Sequence, residues 1–135
     1  MKCNGIIQRK LEFIVANVRR MRDLGNLNVE RLRKDFFLKS GIERTLQTTI
    51  EAMIDVANRI ISLDNRPAVS ESYQSLTQLE ELKYIANADR YRDMVRFRNL
   101  IVHRYESIDP EILVGILERH LTDFDHFIKE IENHV

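Results

Sequence analysis

Apolar residues recur every three or four positions along most of this chain, which is the spacing that places them on one face of an α-helix. Only four glycines and two prolines occur among the 135 residues, so few positions favour the tight turns that join β-strands. The runs are separated near Gly25 and near residues 64–67. We therefore predict an all-α fold, an antiparallel bundle of four to five helices joined by short turns.

Polar residues that commonly cap helices precede three of these runs: Asn28, Ser70 and Asn87. The long third helix is expected to begin after Ser40-Gly41. Asp109 followed by Pro110 predicts the start of one long final helix, because proline is preset for the first helical position and aspartate accepts free amide donors. The final helix is expected to bury seven apolar residues: Leu113, Ile116, Leu117, Leu121, Phe124, Ile128 and Ile131.

Length and composition describe one ordinary globular unit. A chain of 135 residues suits one hydrophobic core, so we expect residues 1–135 to form a single domain. No apolar run approaches the roughly 20 residues that a bilayer requires, and the N-terminus lacks the apolar core of a signal peptide. The single cysteine, Cys3, can form no internal disulfide. We predict a cytoplasmic protein with no membrane contact.

The zero net charge conceals an uneven distribution. Residues 1–39 hold ten Lys/Arg against four Asp/Glu, and residues 90–106 hold five against two. Residues 107–135 instead contain seven acids and two bases. A polyanion should therefore meet the first helix and segment 90–106, although a set of solvated helix faces would give the same count.

The segment Arg98-Asn99-Leu100-Ile101-Val102-His103-Arg104-Tyr105 concentrates chemical groups in little more than two helical turns. Arginine can hold a phosphate through its planar fork of donors, and histidine can transfer protons near neutral pH. Together these groups indicate phosphoryl chemistry, with RNA as the expected substrate.

Counting 100° per residue separates two stripes on this helix. The apolar stripe comprises Tyr91, Met94, Val95, Ile101, Val102 and Tyr105. The polar stripe comprises Arg92, Arg96, Asn99 and His103. Arg98 falls in the middle of the apolar stripe, where an unpaired guanidinium would cost several kcal/mol on desolvation. A phosphate ligand or a dimer cleft is the favoured compensation, and an ion pair with Glu51 or Asp55 is the alternative.

Arg98 and His103 point about 140° apart on an ideal helix, so they do not automatically act together. The arginine can curl round the helix, the helix can distort near His103, or a second subunit can complete the site. We favour a homodimer, with Phe13 or Phe36 and Phe37 supplying apolar contact.

The Arg-Asn-x-x-Val-His-x-Tyr string, late in a helix and followed by Asp-Pro and a long final helix, resembles the Arg-x4-His-x-Tyr signature of HepT-like toxins in the HEPN superfamily. The helix order is similar across nearly the whole chain. This resemblance implies an all-α dimer and a metal-independent endoribonuclease with Arg98 and His103 in the catalytic positions. It also implies an antitoxin partner, a minimal nucleotidyltransferase of the MntA type, that adds AMP to the tyrosine matching Tyr105.

We hypothesise that His103 transfers protons while the RNA 2′-hydroxyl attacks the adjacent phosphate, and that Arg98 stabilises the developing charge. Asn99 would orient His103 or the phosphate, and Arg92 and Arg96 would contact RNA. No metal or cofactor is predicted, and the substrate is left open between tRNA and mRNA. The competing hypothesis is a noncatalytic helical subunit that presents a nucleotide or substrate to a nucleotidyltransferase.

Four other groups of residues have structural interpretations. His120 is expected in the core of the last helix. Asp123, Asp125 and His126 do not share one helical face and are assigned no metal. Glu51 and Asp55 are expected to pair with the nearby Arg44 and Arg59. Three basic residues either contact RNA or favour the end of the first helix: Arg19, Arg20 and Arg22.

Overall fold

Helices form all the regular secondary structure in the part of the chain that the computed structural model describes, which is residues 5–69, 71–103 and 108–134. The all-α prediction is confirmed, with seven α-helices in these ranges where four to five were expected. They are α1 (Gly5–Arg22), α2 (Val29–Lys34), α3 (Phe36–Leu63), α4 (Ser72–Glu81), α5 (Arg92–His103), α6 (Pro110–Arg119) and α7 (Leu121–Glu132), with a 3₁₀ turn at Ala88–Tyr91 before α5.

Helix α3 is the central element, and α1, α4 and α5 pack against it. Its apolar face is fully buried, and each isoleucine or leucine removed from water contributes about 1.5–3 kcal/mol. The buried residues of α3 include Leu46, Ile50, Met53, Ala57 and Ile60. The amide of Asn17 in α1 also donates to the hydroxyl of Thr49 at 3.1 Å inside this interface. This polar contact fixes the register of α1 along α3.

Helix α3 begins at Phe36, so the predicted start after Ser40-Gly41 is wrong. The Asp35 carboxylate accepts a hydrogen bond from the amide of Leu38 at 3.0 Å and caps the helix. This cap lies upstream of Gly41, and the helix continues through that glycine despite its low helix propensity. The first turn consequently carries Phe36 and Phe37, with 72% and 84% of their surface exposed.

The predicted single final helix is divided at His120 into α6 and α7. Its predicted start is correct, because the Asp109 carboxylate accepts from the amide of Glu111 at 2.9 Å. At the junction, Nδ1 of His120 lies 2.8 Å from the carboxylate of Asp123, in the first turn of α7. The apolar spacing continues across this junction, which is why the sequence count did not reveal the break. Six of the seven predicted apolar residues are buried, and Leu117 is partly buried.

Two other predicted caps are present. The Asn28 side chain accepts from the amide of Arg31, and the Asn87 side chain accepts from Asp89 at the start of the 3₁₀ turn. Ser70 lies outside the described residues, and α4 begins at Ser72. Among the described helices, none is both long and apolar enough to cross a bilayer.

Candidate active site around Arg98 and His103

Helix α5 is anchored at its N-terminal end. Tyr91, Met94 and Val95 are buried as predicted, and Phe97 is buried although the angular count left it out. Val102, predicted on the buried stripe, is 45% exposed. Leu100 and Ile101 still pack against the core, whereas Val102 and His103 at the end of α5 are exposed.

Arg98 is half-buried, and its compensation comes from protein groups. One Nη atom lies 3.4 Å from the carboxylate of Glu51 on α3, and the other donates to the side chain of Asn99 at 3.1 Å. Nε is buried and has no hydrogen-bond partner among the described residues. The ion pair between Arg98 and Glu51 is thus present. The sequence had favoured a phosphate or a dimer cleft as the compensation and gave this pair as the alternative. The pair leaves Nε of the guanidinium without a partner among the described residues.

The Arg98–Glu51 pair is accessible to solvent. The two side chains are 26% and 32% exposed, and the nitrogen–oxygen separation is long for a charge-assisted hydrogen bond. An ion pair with this exposure contributes at most about 1 kcal/mol. A phosphate oxygen can therefore compete with Glu51 for the guanidinium at small cost in stability.

His103 is exposed at the end of α5 and separated from Arg98 by five positions of regular α-helix. Distortion of the helix before His103 is therefore absent from α5 as described, and the two side chains diverge by about 140°. Asn99, predicted to orient His103 or a phosphate, accepts its hydrogen bond from Arg98. Two of the three predicted routes are left. The long Arg98 side chain can curl round the helix toward His103, or a second subunit can complete the site.

The predicted supporting cations have different surroundings. Arg92 lies 2.7 Å from the Asp89 carboxylate, donates to the Tyr73 hydroxyl at 3.1 Å and stacks over the Tyr73 ring at 4.9 Å. These contacts, the hydrogen bond with Tyr73 first, raise the pKa of Arg92. Arg96 is largely exposed and lies 3.9 Å from Asp93. Arg96 is thus more available than Arg92 to a phosphate.

Tyr73 and Asp89 are partners of Arg92 that the sequence did not predict. The Tyr73 hydroxyl donates to the Asp89 carboxylate, and both hold Arg92 between α4 and the start of α5. In the sequence, Tyr73 stands at apolar spacing with Leu76 and Leu79 on α4. Nothing in the spacing connects it with a residue 19 positions later. Tyr105, the predicted modification site, lies with residues 104–107 outside the described part of the chain.

The acidic residues on α3 form ion pairs, but not with the predicted Arg44 and Arg59, and only the alternative pairing of Glu51 with Arg98 is present. Glu51 pairs with Arg98, and Asp55 pairs with Lys10 on α1 at 3.1 Å, whereas Arg44 and Arg59 were expected. The packing of α1 on α3 brings Lys10 within reach of Asp55. Sequence proximity on one helix did not identify these contacts.

Four residues near the C-terminus, His120, Asp123, Asp125 and His126, contact polar or charged side chains. His120 contacts Asp123, which also accepts from Arg90 at 3.1 Å, so His120 links the α6–α7 junction rather than filling a continuous apolar stripe. The Asp125 carboxylate accepts from Arg22, raising the pKa of that arginine mainly through the hydrogen bond. His126 lies 3.5 Å from Glu130, one turn further along α7.

Comparison with known proteins assigns this arrangement to a family. The family model described as "Ribonuclease HepT-like" matches residues 14–131. The chain is 30% identical over 131 residues to the mRNA nuclease HepT of Shewanella oneidensis, covering 96% of this chain and 98% of the relative. It is 21% identical to the tRNA nuclease HepT of Aphanizomenon flos-aquae, covering 96% and 90%. The chain belongs to the HepT-like ribonuclease family.

The fold is likewise similar to that of a solved toxin. The tri-AMPylated HEPN toxin of Shewanella oneidensis, in complex with the MNT antitoxin, superposes with a TM-score of 0.86 at 30% identity. The match covers 97% of this chain and 99% of the toxin. The expected HEPN fold is therefore confirmed.

Proposed function

We propose that this chain is the toxin endoribonuclease of a HEPN/MNT toxin–antitoxin pair, acting as a single domain over residues 1–135. Arg98 and His103 are its catalytic residues, and Arg96, Asn99 and Arg92 support them. The observation that carries the proposal is the half-buried Arg98, with an unpartnered Nε and a solvent-accessible partner, on the helix that ends in exposed His103. Membership of the HepT-like family supports the choice of RNA.

The proposed reaction needs one proton carrier and one fixed cation. A ring nitrogen of His103 takes the proton of the 2′-hydroxyl as that oxygen attacks the adjacent phosphorus. The bond between phosphorus and the 5′-oxygen breaks, and the leaving oxygen receives a proton from imidazolium. Arg98 exchanges Glu51 for the phosphate and stabilises the charge on its equatorial oxygens. The products are a 2′,3′-cyclic phosphate and a 5′-hydroxyl, and no metal takes part.

A second copy of the chain completes the site in this proposal. Arg98 and His103 diverge on a regular helix, and within one chain Arg98 contacts Glu51 while His103 is exposed at the end of α5. In a twofold pair, Arg98 of one subunit can face His103 of its partner, and the two sites are equivalent.

The activity is tested by incubating purified protein with a tRNA and an mRNA in the presence of excess chelator. We expect cleavage of one or both to a 2′,3′-cyclic phosphate, while a DNA strand of the same sequence resists because it lacks the 2′-hydroxyl. Binding without cleavage would instead support the noncatalytic subunit. Cleavage that stops with chelator and returns with a divalent cation would contradict the proposed chemistry.

Regulation is proposed to occur at Tyr105, two residues after His103. An adenylate there places a bulky anion beside the arginines of α5 and excludes RNA by charge and volume. The tri-AMPylated state of the Shewanella oneidensis toxin supports this role for the MNT partner. The mass of the Tyr105 peptide after coexpression with an MNT-type nucleotidyltransferase tests it: we expect one or more added adenylates and loss of RNA cleavage. An unmodified peptide with unchanged cleavage would remove the regulatory proposal.

A further inference from the structure

Two surface grooves lie along the line where α1 packs on α3. One has a volume of about 390 Å³ and lies between Lys10 and Phe13 on α1 and Thr48 and Glu51 on α3. The other has a volume of about 230 Å³ and lies between Arg20 on α1 and the first turns of α3. Six of the nine α3 residues that line them follow a three- or four-residue spacing, which places both grooves on one face: Phe37, Gly41, Thr45, Thr48, Ala52 and Asp55.

This face combines exposed aromatic rings with positive charge. Phe13 and Phe37 are 43% and 84% exposed, one beside each groove. Arg9 is exposed in the first groove, and Arg44 is exposed one turn before Thr48 on α3. Neither arginine forms an ion pair with another residue of the described ranges. The face therefore offers both unneutralised cations and stacking surfaces.

One end of this face reaches the catalytic arginine. Glu51 lines the first groove and also pairs with Arg98 at 3.4 Å. Between Phe37 and Glu51 the helix advances 14 residues, which is about 21 Å at 1.5 Å per residue. A stacked strand advances about 3.4 Å per nucleotide, so about six nucleotides span this distance.

We infer that the α1–α3 face is a track for single-stranded RNA leading to Arg98, and this inference rests on the proposed ribonuclease function. Bases stack on Phe13 and Phe37, while Arg9, Arg44 and Arg20 hold phosphates along the strand. The track makes no hydrogen-bond readout of base edges. It therefore selects for length and single-strandedness more than for sequence.

The alternative occupant is a second copy of this chain, for which the sequence predicted Phe13 or Phe36 and Phe37 as contacts, but it fits this face less well. The face carries more cations than acids, so an isologous contact would bring two positive surfaces together. A polyanion benefits from the same excess of charge. The observations thus favour nucleic acid. The cations are Arg9, Lys10, Arg20, Arg44 and Arg98, and the acids are Glu51 and Asp55.

Direct binding tests the track without requiring catalysis. The probes are oligouridylates of about twelve and about three nucleotides, one longer and one shorter than the track. In a His103→Ala background, which prevents turnover, we expect the long probe to bind more tightly. Phe37→Ala and Phe13→Ala should each weaken the long probe about five- to tenfold and leave the short probe unchanged. Arg9→Ala and Arg44→Ala should each reduce the salt dependence of binding by about one unit.

Matched controls come from outside the track. Ile112→Ala removes an exposed apolar side chain of α6, and Lys129→Ala removes an exposed cation of α7. Neither should alter binding of either probe. Equal affinity for the long and short probes would overturn the inference. So would control variants that weaken binding as much as the variants of the track.

Sedimentation of the same variants separates a track from a contact between copies. Phe13→Ala and Phe37→Ala should keep the oligomeric state of the parent, and loss of affinity together with dissociation would assign the face to subunit contact. If RNA is bound along the track but never cleaved, the proposed ribonuclease function fails while the track is supported. Cleavage with length-independent binding would remove the track alone.

Discussion

Arg98 is the residue whose surroundings most constrain the chemistry of this protein. Its guanidinium is half-buried, yet Glu51 supplies a partner that is itself about a third exposed and 3.4 Å away. The unpartnered Nε shows that the described residues do not exhaust the donors of this side chain. A phosphate can take the place of Glu51 at the Nη atoms, since guanidinium and phosphate form parallel hydrogen bonds.

Glu51→Gln tests whether Glu51 competes with RNA for Arg98. Removing the carboxylate charge should tighten RNA binding about two- to fivefold, because a phosphate no longer displaces an anion. The free energy of unfolding should fall by about 1 kcal/mol, as expected for a long and partly exposed ion pair. Nitrocellulose filter binding and urea unfolding provide the two measurements. The control is Glu81→Gln on α4, which removes the carboxylate that pairs with Arg66. If Glu51→Gln loses much stability and its affinity for RNA is unchanged, Glu51 stabilises the fold and does not compete with RNA for Arg98.

Tyr91 gives the structure a defined response to alkaline pH. Its buried hydroxyl donates to Glu130, and burial, followed by that hydrogen bond, raises the pKa of Tyr91 far above its ordinary value. The unfolded chain ionises this tyrosine near its ordinary pKa of about 10, whereas the folded chain does not. Stability from this group is complete below about pH 10 and falls above it by up to about 1.4 kcal/mol per pH unit.

Comparison of the parent with Tyr91→Phe isolates this contribution. Urea unfolding at neutral and alkaline pH should show a steeper alkaline decline in the parent, since the phenyl ring of the variant has no hydroxyl to ionise in the unfolded chain. At neutral pH the variant should lose about 1–3 kcal/mol, because the Glu130 carboxylate loses a buried donor. Parallel alkaline declines in the two proteins would contradict the assignment.

At the scale of elements, the sequence predicted helices reliably but placed two boundaries incorrectly. The start of α3 was missed because Gly41 suggested a break, while the Asp35 cap lies six residues earlier. The break at His120 was missed because the apolar spacing runs through it. Both errors arise where a local hydrogen bond, invisible to periodicity, decides the boundary.

At the candidate site, helical periodicity likewise revealed some features and missed those that depend on packing between helices. The anomaly of Arg98 was visible in the sequence because a charge fell on the apolar stripe of its helix. Glu51 was named among its candidate partners, since α3 supplied the acids that a neighbouring helix could offer. The contact of Arg92 with Tyr73 was not predictable, because it depends on the packing of α4 beside the start of α5.

Asp35 is expected to stabilise the central helix. Asp35→Ala removes the side-chain acceptor of the Leu38 amide and should lower the free energy of unfolding by about 0.5–2 kcal/mol. Asp35→Asn keeps an acceptor at the same position and should remain close to the parent. Urea unfolding measures both variants. Equal stability of the alanine variant and the parent would show that α3 does not depend on this cap.

At the scale of the whole molecule, an excess of positive charge lies in residues 1–39 and 90–106, and an excess of negative charge lies in residues 40–89 and 107–135. The fold packs α1 against both α3 and α7, and Arg22 pairs with Asp125 across the latter contact. Arg9, Lys10 and Arg20 of α1 line the grooves along α3. Neutral overall charge is therefore compatible with an RNA-binding face.

A catalytic site shared between two subunits predicts complementation of inactive variants. When Arg98→Ala and His103→Ala chains are unfolded together and refolded, each mixed dimer holds one site with both native residues. Cleavage should return to about a quarter of the parental rate, because half the dimers are mixed and each has one of two sites intact. A refolded mixture as inactive as the separate variants would place both residues of each site within one chain.

The most direct measurement is the rate of RNA cleavage, with chelator present, by the parent, Arg98→Ala and His103→Ala. We predict that each substitution lowers the rate at least about 100-fold, because one removes the charge that stabilises the transition state and the other the proton carrier. Lys129→Ala should cleave like the parent, and circular dichroism should show the same helical content in all four proteins. Cleavage by either Arg98→Ala or His103→Ala at the parental rate would contradict the account.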